Sequence, residues 1–183
     1  MDSLAGKLLI AAPDLRDPNF MRAVVLMIHH DEEGGFGVVI NRPAGTSLDA
    51  VWQDALHEPC PGDQPLMIGG PVEGPLVALH DDPGRAEHTI VPGVCFTRHK
   101  DHIVDLVGDA WSPLIVLAGY SGWGGGQLEA EMETGSWIVA DASSELVFGD
   151  VATLWQRAMR HAADERLVEW LRIRHVPDQP WHN

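Results

Sequence analysis

Residues 7–43 read KLLIAAPDLRDPNFMRAVVLMIHHDEEGGFGVVINRP, and the reading of this stretch decides the fold class. Lys7–Ala12 is a short apolar run closed by Pro13, which predicts an opening buried strand. Asp14–Phe20 is rich in turn formers, and Asp17-Pro18 favours a turn or a helix start. Arg22–His29 is β-branched and apolar, as a second buried strand requires. Asp31–Gly35 is a polar turn, Phe36–Asn41 its hairpin partner, and Pro43 ends the pairing. The chain therefore opens with antiparallel strands rather than a βαβ unit.

Downstream, a helix follows. Thr46 and Ser47 can cap it, Asp49 lies in its first turn, and Leu48, Val51, Trp52, Ala55 and Leu56 recur at helical spacing. Pro59–Pro65 reads as a loop, Leu66–Ile68 as a short strand before Gly69-Gly70-Pro71, and Leu76–Leu79 as a strand ending at His80. Asp81–Glu87 is a loop and Val94–Thr97 a strand, with a short helix beyond it that turns Ile103, Leu106 and Val107 inward. Leu114–Tyr120 is a central strand opening into a glycine-rich stretch, Gln127–Glu133 a helical turn or two, and Trp137–Ala140 a strand. Asp150 caps an amphipathic helix bearing Val151, Leu154, Trp155, Ala158 and Met159, and a second helical segment covers Arg166–Ile173. Strands and helices without regular βαβ alternation predict an α+β chain with a mixed sheet.

The bulk properties are those of one domain. With 183 residues, 45% of them hydrophobic, the chain can bury about 70% of its unfolded surface without a disulfide or metal staple. The N-terminal residues lack the charge pattern of a secretory signal, and the longest apolar runs are too short to span a bilayer. Cys60 and Cys95 are far apart, as two thiols in a reducing cytoplasm would be. Twelve basic against 27 acidic residues leave a net charge of −15, which repels phosphate backbones. Residues 1–156 hold 7 basic and 23 acidic side chains, a net of −16, whereas residues 157–183 hold 5 and 4, a net of +1.

No single motif carries chemistry. In GYSGWGGG (119–126) the elbow pattern G-x-S-x-G fails because Trp123 occupies the last position, so Ser121 lacks the setting of a nucleophile. The same stretch lacks the Lys and Ser/Thr of a phosphate loop, and Glu129, Glu131 and Glu133 follow it, so a tight turn that lets Trp123 pack is expected. His29 and His30 point to opposite faces of a strand, while His99 with His102, and His80-Asp81-Asp82, lack any strong metal-ligand spacing. Asp14, Asp17, Glu129 and Glu131 are equally expected of turns and a solvated helix face. Seven tryptophans without interleaved basic residues serve packing rather than base stacking.

Four ordered blocks nonetheless match a known pattern. Residues 7–43, MIGGPVEGPLVALH (67–80), AGYSGWGGGQLEAEMETGSW (118–137) and VFGDVATLWQRAM (147–159) resemble the YqgE/AlgH family over about residues 6–160. The resemblance implies one compact α+β domain over 1–183, with a mixed, partly barrel-like β-sheet and flanking helices. The residues themselves, beyond the resemblance, predict a C-terminal helical segment at 150–173 and a loose tail at 177–183. The resemblance also implies a bacterial cytosolic setting, a label of transcriptional regulator linked to exopolysaccharide synthesis, and no assigned activity or cofactor. Two regions depart from the family pattern: FTRHKD (96–101) and the ending after about Ala162.

Carried over as a candidate shared surface are Asn41, Arg42 and Pro43, then Gly69, Gly70 and Pro71, then Trp123, Gln127, Glu129 and Glu131. Asn41, Arg42, Gln127 and Glu131 are the polar groups that would read a protein partner or small ligand. No residue is assigned to catalysis or to a metal. The leading expectation is a non-enzymatic, cytoplasmic regulatory or interaction protein that acts on transcription indirectly. The alternative is an enzyme, such as a metal-dependent hydrolase. Direct DNA binding has only Arg157, Arg160, Arg166, Arg172 and Arg174 in its favour, and the charge opposes it.

Overall fold

The computed structural model describes residues 3–171, with the side chains of Ala55 and Leu56 outside that description. The opening block forms three strands: β1 (Lys7–Ala11), β2 (Val24–Asp31) and β3 (Gly34–Val39). They pair antiparallel, with Leu8 opposite Leu26 and Val25 opposite Val39. The turn between β2 and β3 is Glu32-Glu33, where the Asp31 carboxylate accepts the Glu33 N–H at 2.9 Å. Val24–Ile28 is buried without interruption because β2 has a covered face on each side. Val24, Leu26 and Ile28 join one core cluster, while Val25 and Met27 join another.

After these come α1 (Leu48–Leu56), β4 (Leu66–Ile68), β5 (Val72–His80), β6 (His88–Val91) and β7 (Val94–Thr97). The rest is α2 (Lys100–Gly108), β8 (Leu114–Gly124), α3 (Gln127–Glu133), β9 (Trp137–Asp141), α4 (Ser144–Val147) and α5 (Leu154–Leu171). Ser47 caps α1 by accepting the Ala50 N–H at 3.2 Å. That helix drives Leu48 and Trp52 into a third cluster with Ile103, Leu106 and Val107 of α2.

The strands form one nine-stranded sheet in the order β6-β7-β5-β8-β3-β2-β1-β9, with β4 parallel to β8 and every other pair antiparallel. It is curled into a half-barrel. Phe36 of β3 and Phe96 of β7 have ring centroids 6.2 Å apart. Three strand spacings in a flat sheet would separate those strands by about 14 Å. The concave side is filled by Leu154, Ala158 and Ala162 of α5 together with Leu8, Ile10, Leu26 and Leu117. The domain is therefore α+β with a mixed, curled sheet and flanking helices.

Several local expectations change. The glycine-rich stretch is not a tight turn at its start: β8 continues through Gly124, pairing Ser121, Gly122 and Trp123 with Gly37, Phe36 and Gly35. The strand is 11 residues long because it changes partners, lying beside β4 and β5 first and β3 afterwards. Trp123 still packs, at 6% exposure. The two C-terminal helices are one, α5, and Asp150 serves the turn before it by accepting from Ala152 N and Thr153 Oγ1. The short strand β6 and the single turn of α4 have no counterpart in the sequence reading. Ile173, Arg172, Arg174 and the 177–183 tail lie outside the described residues.

Candidate functional site

The first carried-over group begins just past β3. The Asn41 carboxamide accepts the Val24 N–H and donates to the Arg22 carbonyl, both at 2.8 Å. The Arg42 guanidinium donates to the carbonyls of Pro18 (3.2 Å), Asn19 and Met21 (3.3 Å). Two adjacent side chains thus hold four carbonyls of the 17–22 loop. Asp17 tightens the same loop by accepting the Asn19 N–H at 2.7 Å. Within it Arg22 adopts φ 55°, the left-handed region, which costs a residue with a Cβ about 1–2 kcal/mol. Asn41, bonded on both sides of that residue, keeps it there. Pro43 is exposed and forms an isolated bridge with Met67.

The second group is a close approach of chains. Gly69 donates to the Ala118 carbonyl at 2.8 Å, and its own carbonyl accepts Val39 N at 2.7 Å and the buried Ser121 hydroxyl at 3.2 Å. A Cβ at Gly69 would lie 2.2 Å from the Gly119 oxygen, and one at Gly70, where φ is +155°, would lie 2.3 Å from Ser121 Oγ. Only glycine fits this crossing of the β4–β5 link over β8. Pro71, next along, is exposed.

The third group surrounds one carboxylate. Glu131 Oε2 accepts from the indole N–H of Trp123 at 2.9 Å and of Trp137 at 2.8 Å, and Oε1 accepts from the Gln127 amide at 3.0 Å. Gln127 in turn accepts the Gly124 N–H at 3.2 Å. Glu129 faces the other way, toward His30, with Oε1 3.0 Å from Nε2. His30 is buried and its Nδ1 accepts the Leu4 N–H at 3.2 Å, so the ring proton sits on Nε2 and points at Glu129.

The first and third groups meet through Phe20. Its ring lies 6.1 Å from Trp123 and 5.3 Å from Trp137. Arg42 holds the loop that presents Phe20, and Glu131 holds the two indoles that receive it. The polar side-chain atoms of the two groups share no hydrogen bond, and the Gly69–Pro71 crossing joins the first group through the backbone, where the Arg42 carbonyl accepts the Ile68 N–H at 2.8 Å.

The histidines scatter. His29 is exposed, and its ring, followed by the Glu33 N–H, holds the Asp31 carboxyl below its ordinary range. His80 is fully buried, Nδ1 accepts the Asp82 N–H at 3.2 Å, and Nε2 has no hydrogen-bond partner. Burial pushes this imidazole below its ordinary value, against the pull of Asp82 and Asp81. His99 and His102 are edge to face at 5.3 Å, with His102 on the Arg85 carbonyl. Among the described residues no three His, Cys, Asp or Glu converge on a point that could hold a metal ion. Nor is any described helix long and apolar enough to cross a membrane.

One arrangement escaped the sequence reading. An open groove of about 560 Å³ runs between the 17–22 loop and the start of α5. Asn41, Arg42 and Pro43 line one wall, Asp150 and Val151 the other, and Met21, Arg22 and Trp155 lie between. The Arg22 guanidinium sits 5.7 Å from the centre of the Trp155 ring, a cation–π distance. The Trp155 indole is fixed by donating to the Ala11 carbonyl at 2.9 Å. Arg22 and Trp155 come from opposite ends of the chain, so no local motif could announce the pair. Asn-Arg after a strand was its only visible trace.

Comparison with known proteins matches this architecture. A family model described as AlgH-like aligns with residues 8–166. The chain is 39% identical to a UPF0301 protein of Chlorobaculum tepidum, with 87% of each chain covered. It is 38% identical to a UPF0301 protein of Myxococcus xanthus, covering 87% of this chain and 91% of that one. The solution structure of the AlgH protein from Pseudomonas aeruginosa superposes with a TM-score of 0.67 at 27% identity over 96% of both chains. The crystal structure of protein DIP2367 from Corynebacterium diphtheriae does so with 0.70 at 26% identity over 87% of both. With its curled sheet and a match spanning nearly all of the described residues, the chain belongs to the AlgH-like family.

Proposed function

We propose that this protein is a non-enzymatic regulatory or interaction protein of the bacterial cytoplasm, acting on transcription indirectly through a partner or ligand. The observation that supports this is the commitment of the family's polar side chains. Asn41 and Arg42 bind the chain's own backbone, and Gln127 and Glu131 bind each other and two indoles. A general acid, base or nucleophile must reach a substrate atom with its hydrogen-bonding capacity available. These groups instead hold a particular loop conformation, as a recognition surface needs. The charge of −15 favours an indirect route over contact with DNA.

The test is turnover. Purified protein is assayed against p-nitrophenyl esters, phosphates and glycosides with and without added Mg²⁺, Mn²⁺ and Zn²⁺. The expected result is no rate above buffer. Turnover that disappears in a folded Glu131→Gln or His80→Gln variant would overturn the reading.

A further inference from the structure

We infer that the groove between the 17–22 loop and α5 is a binding site for a small molecule carrying one carboxylate on an apolar body. This goes beyond the proposed function, since the groove's chemistry stands whether or not the protein regulates transcription.

The first observation is charge. Lys7, Arg85, Arg98 and Lys100 each pair with a carboxylate in this strongly acidic chain. Arg22 pairs with none among the described residues, as do Arg16, Arg42, Arg157, Arg160 and Arg166, and of these six it alone lies over an aromatic ring in the groove. Its guanidinium lies over the Trp155 ring, 5.7 Å from the centre, and a cation held by a ring in this way keeps its N–H donors available to an oxyanion.

The second observation is how Arg22 is held. Its left-handed backbone is unfavourable for arginine, yet Asn41 bonds to its carbonyl and to the N–H of Val24, and Arg42 fixes the carbonyls before it. A strained residue persists where its surroundings over-determine it, and such residues gather at ligand clamps.

Groove composition sets the ligand class. Both guanidiniums face it, but three of the five N–H donors of Arg42 are committed to carbonyls, which leaves Arg22 as the less committed fork. The carboxylate of Asp150, on the opposite wall, is engaged by Ala152 N and Thr153 Oγ1 and still repels a second negative charge. One available fork and a net charge of one suit a monoanionic carboxylate better than a phosphate dianion. Met21, exposed at 56%, and Val151 supply apolar walls for the rest of the molecule. A volume of about 560 Å³ lies in the range of small-molecule sites.

The experiment follows the Arg22 Nε–H and Trp155 Nε1–H resonances of the full chain during titration with 4-phenylbutyrate. Parallel titrations use its neutral amide and inorganic phosphate. Both resonances should shift saturably with the carboxylate, and the amide and phosphate should bind at least about tenfold more weakly. Arg22→Asn, which tolerates the left-handed backbone, should lose binding by at least about tenfold, while Arg98→Gln should bind as wild type. No saturable shift up to about 10 mM carboxylate, or an amide that binds equally, would overturn the site without any variant being needed. So would a folded Arg22→Asn protein that binds as wild type. Turnover, or its absence, bears on the proposed function and not on this site.

Discussion

Two sides of α5 each carry apolar residues at helical spacing, and they meet opposite fates. Leu154, Ala158 and Ala162 recur every fourth residue and are 0–2% exposed, packed inside the curled sheet. Leu167, Trp170 and Leu171, at helical spacing on the same element, are 53%, 79% and 46% exposed. At 100° per residue Leu167, Trp170 and Leu171 fall on the side of the helix turned away from the Leu154–Ala162 stripe, so they face solvent. The side nearer the sheet carries Glu165, whose carboxylate accepts the Asp141 N–H where β9 ends, and Val168, which lines one cleft with Val139 of β9. An amphipathic pattern therefore says which residues can be buried together, and the side that the sheet covers says which are.

The sharpest way to break this contrast is at its buried side. Leu154→Ala should cost about 2–5 kcal/mol, because it removes a fully enclosed side chain and leaves a cavity. Denaturant unfolding measures it, and a loss below about 1 kcal/mol would show the buried side to be loosely packed.

Enclosure has a second consequence, in His80 compared with the exposed His29. Burial holds His80 below its ordinary value, so the unfolded chain binds more protons than the folded one as the pH falls below about 6.5. His80's contribution is present above that pH and is lost through the window between 6.5 and its depressed folded value. Stability should fall there with a slope of up to about 1.4 kcal/mol per pH unit, and His80→Phe should flatten it. A slope that survives unchanged in a folded His80→Phe protein would show that the buried ring is not the titrating group.

Trp155→Phe probes the contact of α5 with β1 beside the groove. It removes the indole donor to Ala11 O and should cost about 1 kcal/mol in thermal or denaturant unfolding. The smallest effect belongs to the open side. Trp170→Ala should change the stability of a dilute sample by no more than about 0.5 kcal/mol. A loss of about 2 kcal/mol or more would mean that this face is covered in solution, and the comparison would fail.

Much of the fold was legible because it rests on local rules. The apolar runs of β1, β2 and β8, the Ser47 cap and the helical spacing of α1 and α2 each follow from neighbours within a few residues. The glycine-rich stretch misled, since glycine looks alike in a turn and in a strand that must pass close to another backbone. Trp123 in that stretch was read as a packing residue, and it packs. The candidate surface was legible as residues but not as roles. Nothing near Arg42 shows that its guanidinium would bind the carbonyls of Pro18 and Met21, and nothing near Glu131 shows that two indoles would share it.

By itself the sequence determined the fold class, the family and the acidic character, because these depend on composition and on patterns repeated within each element. Tertiary structure alone decided that Arg22 would lie over Trp155 with no carboxylate partner among the described residues, that His80 would be sealed away from water, and which side of α5 the sheet would cover. Each of those outcomes depends on groups distant in the chain brought within a few ångströms. The curl of the sheet supplies that proximity, and local periodicity does not encode it.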